Sequence, residues 1–307
     1  MKKTVAIVVA FLNEEENLSE LYQRVSAVFE KEPEEVQFLF VDDGSTDGSL
    51  QCLEQIRQND PRVRILQLSR NFGHQIAITA GTDHADADAV VIIDADLQDP
   101  PEVIPDLIVK WREGFEVVYA VRKSREGETW LKKFLAASFY RVFYMLAKVN
   151  VPMDAGDFRL VDRKVVDALK EVRELHRFMR GLTCWVGFKQ GAVYYDRAAR
   201  KAGETKYPVW KSLRLAFDAI TSFSATPLRW MTVLGALIAF SGFIQGIRVI
   251  AGRILHPESF EPGWATVVAL ILLLAGVQLL SLGLVGQYVS RIFEESKKRP
   301  LYFLRNQ

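Results

Sequence analysis

Over about the first 120 positions, short apolar runs alternate with amphipathic stretches. The runs at 5–11, 36–41, 63–68, 90–93 and 117–121 are β-branched and nearly continuous, the pattern of strands buried on both faces. Between them, Leu18, Leu21, Val25, Val28 and Phe29 keep a helical period, as do Val103, Ile104, Leu107, Ile108 and Trp111. This alternation predicts an α/β domain with a Rossmann-like, mostly parallel sheet between helices. Ligands of such sheets lie outside the carboxyl ends of the strands. Asn13, Asp42, Asp43, Asp94 and Asp96 all fall at such ends.

The pattern then changes. Leu131, Phe134, Leu135, Phe139, Val142, Phe143 and Leu146 form one stripe, with Lys132, Lys133, Arg141 and Lys148 off it. The stretch 130–149 reads as a core helix with a solvated face or as a basic amphipathic helix on a membrane surface. Residues 230–247 form an uncharged run bounded by Arg229 and Arg248, and 264–288 form a longer one. About 20 such residues cross a bilayer core of about 30 Å, so two transmembrane helices are expected, near 229–250 and 264–288. The flanks set their orientation. Positions 197–229 hold seven basic and two acidic residues, and the segment after Tyr288 holds five and two. The linking loop, 253–263, holds one Arg and two Glu. Positive-inside bias puts both ends in the cytoplasm. The expected organisation is a cytoplasmic catalytic domain at 1–205, a juxtamembrane segment at 206–228, the helix pair within 229–290 and a basic tail at 291–307. The protein would be a multi-pass protein of the inner (plasma) membrane.

Composition narrows this picture slightly. The net charge of +1 over 307 residues gives no global field for nucleic acid. Cys52 and Cys184 are too few for a disulfide framework and read as packed cytosolic thiols. The N-terminal apolar run stops at Leu12 and is followed by Glu14, Glu15 and Glu16, so it reads as a first strand rather than a signal peptide.

The candidate chemistry lies where strands end in acids. AVVIIDADLQDPPE, residues 89–102, runs an apolar strand into Asp94 and Asp96. Charges beside a core are costly unless they serve a site, and paired carboxylates suit Mg²⁺ or Mn²⁺ carrying substrate phosphates. VDDGSTDGS, residues 41–49, ends a second strand in a glycine turn. Ser45 or Thr46 could cap the next helix there. Capping needs one polar residue, which leaves Asp42 and Asp43 to accept hydrogen bonds from a nucleobase or ribose.

Together with Asn13-Glu14-Glu15 and Arg70-Asn71-Phe72-Gly73, these motifs resemble a GT-A family 2 glycosyltransferase. DAGDFRL at 154–160 and GETKYP at 203–208 resemble its polyprenyl-phosphate branch, which is similar to dolichol-phosphate-mannose synthase. The paired C-terminal apolar helices resemble the bactoprenol (undecaprenyl-phosphate) glucosyltransferases. Ala10 and Leu12 stand where that family's opening motif has Pro and Tyr, and Ala155 where it often has Cys.

The resemblance implies transfer of a sugar from a nucleotide-sugar to a polyprenyl phosphate at the membrane, with inversion. It makes Ala10, Asn13, Glu14, Asp42, Asp43, Asp94, Ala95 and Gln98 the donor-binding residues. Asp94 and Asp96 become the metal ligands, and Asp96 and Asp157 the catalytic carboxylates. Arg122, Arg125, Arg200 and Lys206 would bind the acceptor phosphate, for which arginine offers a planar fork. An incoming phosphate is repelled by a carboxylate unless cations intervene, so Asp157 either orients the acceptor or a basic partner, or takes a residual proton. UDP-glucose is the expected donor and GDP-mannose the alternative. A processive polysaccharide synthase would carry Q-x-x-R-W, which the chain lacks. A non-catalytic nucleotide-binding scaffold would lack the acids. Mg²⁺ against Mn²⁺ and a homo-oligomeric state stay open on the sequence.

Overall fold

The structure is a computed structural model that describes residues 2–123, 155–196, 226–255 and 263–305. The chain forms two compact units. One comprises Met1–Leu213 with Pro300–Gln307, and the other Arg214–Arg299.

The first unit is built on a sheet of β1 (Thr4–Phe11), β2 (Glu35–Asp42), β3 (Val63–Gln67), β4 (Ala89–Asp94), β5 (Val117–Arg122), β6 (Ala155–Asp162) and β7 (Gln190–Tyr195). Their order is β3-β2-β1-β4-β6-β5-β7. All five strands read from the apolar runs are present. β1 is buried from Val5 to Phe11, as expected of a strand covered on both faces. Helices α1 (Glu15–Phe29), α2 (Ser49–Asn59), α3 (His74–His84) and α4 (Ile104–Arg112) fill the crossovers. α1 buries Leu18, Leu21, Val25 and Phe29 on one stripe. α3 uses small residues to approach the sheet. A Cβ added at Gly81 would lie 2.4 Å from Val8 Cγ1 and 3.0 Å from Val41 Cγ2. That close seat fixes the N-terminus of α3, which opens with His74, at the carboxyl edge of the sheet.

β1 pairs with β2 on one side and β4 on the other, both parallel. The strand order therefore diverges beside β1, where a ligand crevice forms in open α/β sheets. β6 departs from the parallel pattern by running antiparallel between β4 and β5. Its start, and not its end, thus lies at the carboxyl edge. Ile92 pairs with Arg159, so two residues onward along β4 and two back along β6 Asp94 comes beside Asp157. Two short helices follow β6, α5 (Arg163–Glu171) and α6 (Met179–Trp185). Asp162 caps α5 by accepting the Lys164 N–H.

A buried acid also braces the entry to β3. Asp60 accepts a 2.7 Å bond from the Tyr22 hydroxyl and bonds the Arg62 guanidinium at 2.7–3.0 Å. The Arg62 bonds outweigh burial and lower the Asp60 carboxyl to about 2. A depressed value stabilises the fold above the ordinary carboxylate range and loses that contribution as pH falls toward 2. Arg62 is half exposed, so screening limits the effect. Asp60→Asn should cost about 1 kcal/mol at pH 7, or a few degrees of Tm. In thermal melts of the detergent-solubilised chain, the two proteins should converge near pH 2.

The second unit contains α7 (Thr226–Leu255) and α8 (Trp264–Ser296). Within α8, Leu273–Ser296 is long and apolar enough to cross a membrane, while the apolar stretch of α7 described, Trp230–Gln245, is shorter. Leu237, Phe240 and Phe243 of α7 and Leu279, Leu280 and Leu282 of α8 are exposed. Both helices outrun the expected spans, and α8 continues through Arg291, Glu294 and Glu295. The expected amphipathic helix at 130–149 and most of the 206–228 segment lie outside the described residues.

Candidate active site

Asp157 is the centre of the carboxyl-edge cluster. It is buried at the start of β6 and bound by two arginines. Arg180, from the first turn of α6, reaches it with both fork nitrogens, Nε to Oδ1 at 3.0 Å and Nη2 to Oδ2 at 3.1 Å. Arg159 Nη2 bonds Oδ1 at 3.0 Å, and Gln75 Nε2 bonds Oδ2 at 3.3 Å. The His74 ring lies between the two acids, with Nε2 3.2 Å from Asp94 Oδ1 and 3.7 Å from Asp157 Oδ2. Burial alone would raise the Asp157 carboxyl. The Arg180 charge, the bonds from His74 and Arg180 and the Arg159 charge together hold it well below the usual carboxylate range. Burial would likewise depress His74, but its bonds to Asp157 and Asp94 push it up to about 10. The cluster is a carboxylate enclosed by two guanidinium groups and the His74 ring.

Arg159 is itself almost wholly buried, and its charge is spread over further partners. It donates to the carbonyls of Gly156 and Asp157 at 3.0 and 3.1 Å, and to Thr183 Oγ1 at 3.1 Å. Arg180 is different, because 30% of its side chain faces solvent. Asp157 thus holds one cation in the core and presents another to the cleft.

Asp94 ends β4 in register with the buried Ala10 of β1. The chain then turns through buried Ala95 and Asp96 to Leu97, which has φ of 56°. A branched residue in the left-handed region is strained, and such strain gathers at functional sites. The turn lets the Gln98 N–H donate to Asp96 Oδ1 at 3.1 Å. A ligand atom from each of His74, Asp94 and Asp157 lies within 4.8 Å of the others. Asp157 has both oxygens on Arg180 and His74 lies between the two acids, so Asp94 is the carboxylate of that set that could hold a metal. Asp94 and Asp96 supply hard oxygen donors at one strand end and so fit Mg²⁺ or Mn²⁺.

The loops beyond β1 and β2 interlock. Asn13, with φ of 56°, accepts the Thr46 N–H on its side-chain oxygen at 2.8 Å, and its own N–H donates to Ser45 Oγ at 3.0 Å. The Glu14 side chain accepts from Asn17 at 2.7 Å. Asp42 is buried and accepts the Ser45 N–H at 2.8 Å. Asp43 is buried and accepts the Phe72 and Gly73 N–H groups at 2.7 and 3.0 Å. Burial outweighs those bonds and raises the Asp43 carboxyl. One expectation is corrected here. Neither Ser45 nor Thr46 caps α2, whose N-cap is Gly48, because the Ser45 hydroxyl is used by Asn13. The acid pair also binds backbone donors, Asp42 in its own turn and Asp43 in loop 70–73.

Arg122 ends β5 and is anchored from behind. Its Nη2 is 3.5 Å from the buried Asp99, and its Nε lies 3.4 Å from the Tyr195 hydroxyl, which in turn donates to Asp99. Burial would lower the Arg122 guanidinium, but the Asp99 charge raises it. A Cβ at Gly156 would meet Arg122 Nη2 at 3.0 Å, so glycine lets this arginine lie against the residue before Asp157. Arg125, Arg200 and Lys206 lie outside the described residues. His74, Gln75, Arg159 and Arg180 were not read as site residues from the sequence. His74 follows the RNFG motif directly and Arg159 lies inside GDFRL, so both carried a signal. Arg180 carried none.

Comparison with known proteins shows the family. Residues 6–170, more than half of the chain, match the Glycosyl transferase family 2 model. A Bacillus subtilis (strain 168) relative described as uncharacterized glycosyltransferase YkcC is 50% identical, over 98% of this chain and 93% of that protein. The bactoprenol glucosyl transferase of Shigella phage SfV is 40% identical, over 99% of this chain and 98% of its own length. Among solved structures, mannosyl-3-phosphoglycerate synthase from Rubrobacter xylanophilus aligns at 18% identity with a TM-score of 0.49, covering 74% of each chain. With the strand-end acids in place on an α/β sheet, the chain belongs to glycosyl transferase family 2 and is a glycosyltransferase.

Proposed function

We propose that the protein transfers glucose from UDP-glucose to undecaprenyl phosphate at the cytoplasmic face of the membrane, with inversion, giving a lipid-linked monosaccharide. The observation that carries this reading is Asp157 enclosed by Arg159, Arg180 and His74. A sugar hydroxyl acceptor needs a base of ordinary carboxylate strength or above. A carboxylate held well below that range by cations is a poor base and a good anchor for those cations. A phosphate monoester needs no strong base, since its second pKa is about 6. The full-length likeness to a bactoprenol glucosyl transferase supports the same acceptor.

In the reaction, an acceptor phosphate oxygen attacks the anomeric carbon from the face opposite the donor diphosphate. The bond from that carbon to the diphosphate oxygen breaks, and its electron pair leaves with the nucleoside diphosphate. Asp94 and Asp96 would hold Mg²⁺ or Mn²⁺, which supplies positive charge to the leaving diphosphate. Arg180 and Arg122 bind the acceptor phosphate. Asp157 and Asp99 hold those two arginines in position, which removes the repulsion expected between Asp157 and a phosphate. Asn13, Glu14, Asp42 and Asp43 shape the nucleotide side, with Arg125, Arg200 and Lys206 as further acceptor contacts. The exposed apolar helices would sit in the inner membrane as a two-span anchor, which a lipid acceptor requires.

Arg180→Ala and Arg122→Ala should each raise the KM for the lipid phosphate about tenfold or more, the scale of a lost charge-assisted pair, and leave UDP affinity within about twofold. Loss of UDP affinity with an unchanged lipid KM would reverse the assignment. Incubating the purified protein with undecaprenyl phosphate, metal and labelled sugar nucleotides tests the function. Lipid-extractable label from UDP-glucose is expected. Label only from GDP-mannose selects a mannosyltransferase, an insoluble polymer a processive synthase, and no product a scaffold.

A further inference from the structure

The chain's last described residues return to the first unit, although the sequence reads them only as a basic tail. β3 is an edge strand, and its exit is covered by an antiparallel bridge between Leu68 and Leu304. Ser69 N–H donates to the Phe303 carbonyl at 2.8 Å, and Arg305 N–H donates to the Gln67 carbonyl at 2.8 Å. The Tyr302 hydroxyl donates to Asp83 Oδ2 at 3.0 Å and lies 3.3 Å from His84 Nδ1. The Tyr302 ring packs against His84 with centroids 5.9 Å apart. The same Asp83 oxygen accepts from Arg173 at 2.6 Å.

These contacts grip the two ends of one segment. At its start, Ser69 enters the loop whose Phe72 and Gly73 N–H groups bind Asp43. At its end, Asp83 and His84 close α3. Between them, the first turn of α3 carries His74 and Gln75 to Asp94 and Asp157. Residues 301–305 touch none of these acids, yet they hold both ends of the element that reaches them. An edge strand offers unpaired backbone donors and acceptors, so a short tail can dock there reversibly.

We propose that residues 301–305 form a strap that positions segment 69–84, so that Asp43, His74 and Gln75 keep their geometry only while the tail is docked. Tyr302 is then a positioning residue for the cleft, and the strap's occupancy sets donor affinity and turnover together. The consequence for catalysis rests on the proposed reading of the cleft as a nucleotide-sugar site. The strap itself rests on the backbone pairing and the Tyr302 contacts.

The test uses the full protein in detergent micelles, a variant ending at Pro300, and Tyr302→Phe, which keeps the ring against His84 and loses the hydroxyl. Hydrogen exchange of the 69–84 amides should speed up about tenfold or more in the truncated protein, and less in Tyr302→Phe. UDP affinity and kcat/KM should fall about tenfold, within the usual range of coupling between linked elements. A synthetic peptide of residues 300–307 added to the truncated protein should restore both the exchange protection and the activity. A merely structural loss would not return with a peptide. Unchanged exchange and UDP affinity in the truncated protein would overturn the proposal. If the full chain itself binds no nucleotide, the functional reading falls while exchange still decides the strap. If the truncated protein does not fold, exchange in Tyr302→Phe decides it.

Discussion

Asp157→Asn should lower kcat/KM by about 10²–10³-fold, on the scale of removing preorganised electrostatic groups, and the deficit should be flat from pH 6 to pH 9. The amide keeps the shape of the carboxylate but cannot pair with two guanidinium groups. Arg180 then keeps at most one of its two bonds, and Arg159 keeps a buried charge without its counter-ion. Breaking a buried pair from one side costs about 3–5 kcal/mol, so a lower Tm should accompany the loss of activity. The sign of the pH dependence follows from the depressed carboxyl. The wild-type group is ionised throughout the neutral range, so its stabilisation is present above the ordinary carboxylate value and is lost only in acid. Recovery of the variant at high pH would instead mark Asp157 as a proton acceptor, and full activity at every pH would remove it from the mechanism.

The second large effect is expected at the end of β4. Asp94→Asn or Asp96→Asn should reduce kcat/KM by about 10²–10³-fold and abolish the dependence of UDP affinity on Mg²⁺ or Mn²⁺. In wild type, chelation of divalent ions should eliminate turnover, and re-addition should restore it. Titration calorimetry with UDP, with and without metal, checks this directly. Asp94 should show the broader defect, because it also holds His74 at 3.2 Å. Metal-dependent UDP binding that survives both substitutions would move the metal site elsewhere.

The parallel half of the sheet was legible because its strands are buried on both faces and read as unbroken apolar runs, as in 5–11 and 90–93. β6 was not, since Gly156, Asp157 and Arg159 interrupt its apolar pattern. Those residues are where the site is built. β7 is mostly half-buried along its length and gives only a weak strand signal. The acids were legible because a charge at the end of an apolar run demands a reason. Their counter-ions were not. Arg180 sits on a seven-residue helix with no motif around it, and only the antiparallel placement of β6 brings Asp157 within its reach. Asp42 and Asp43 also bind backbone donors of their own turn and of loop 70–73, which sequence spacing does not reveal. Lys297, Lys298 and Arg299 drew the eye to charge at the C-terminus, whereas the contacts begin just past them at Tyr302 and Phe303.

In the proposed reaction the attacking group is a lipid phosphate oxygen, positioned by arginines that Asp157 and Asp99 anchor. The most direct test is ³¹P and ¹H NMR of the lipid product purified after reaction with UDP-glucose and undecaprenyl phosphate. A single phosphodiester joining glucose to the polyprenyl chain is expected, with the anomeric configuration opposite to the donor's. A pyrophosphate linkage, a sugar attached through a hydroxyl, or a retained anomeric configuration would contradict it.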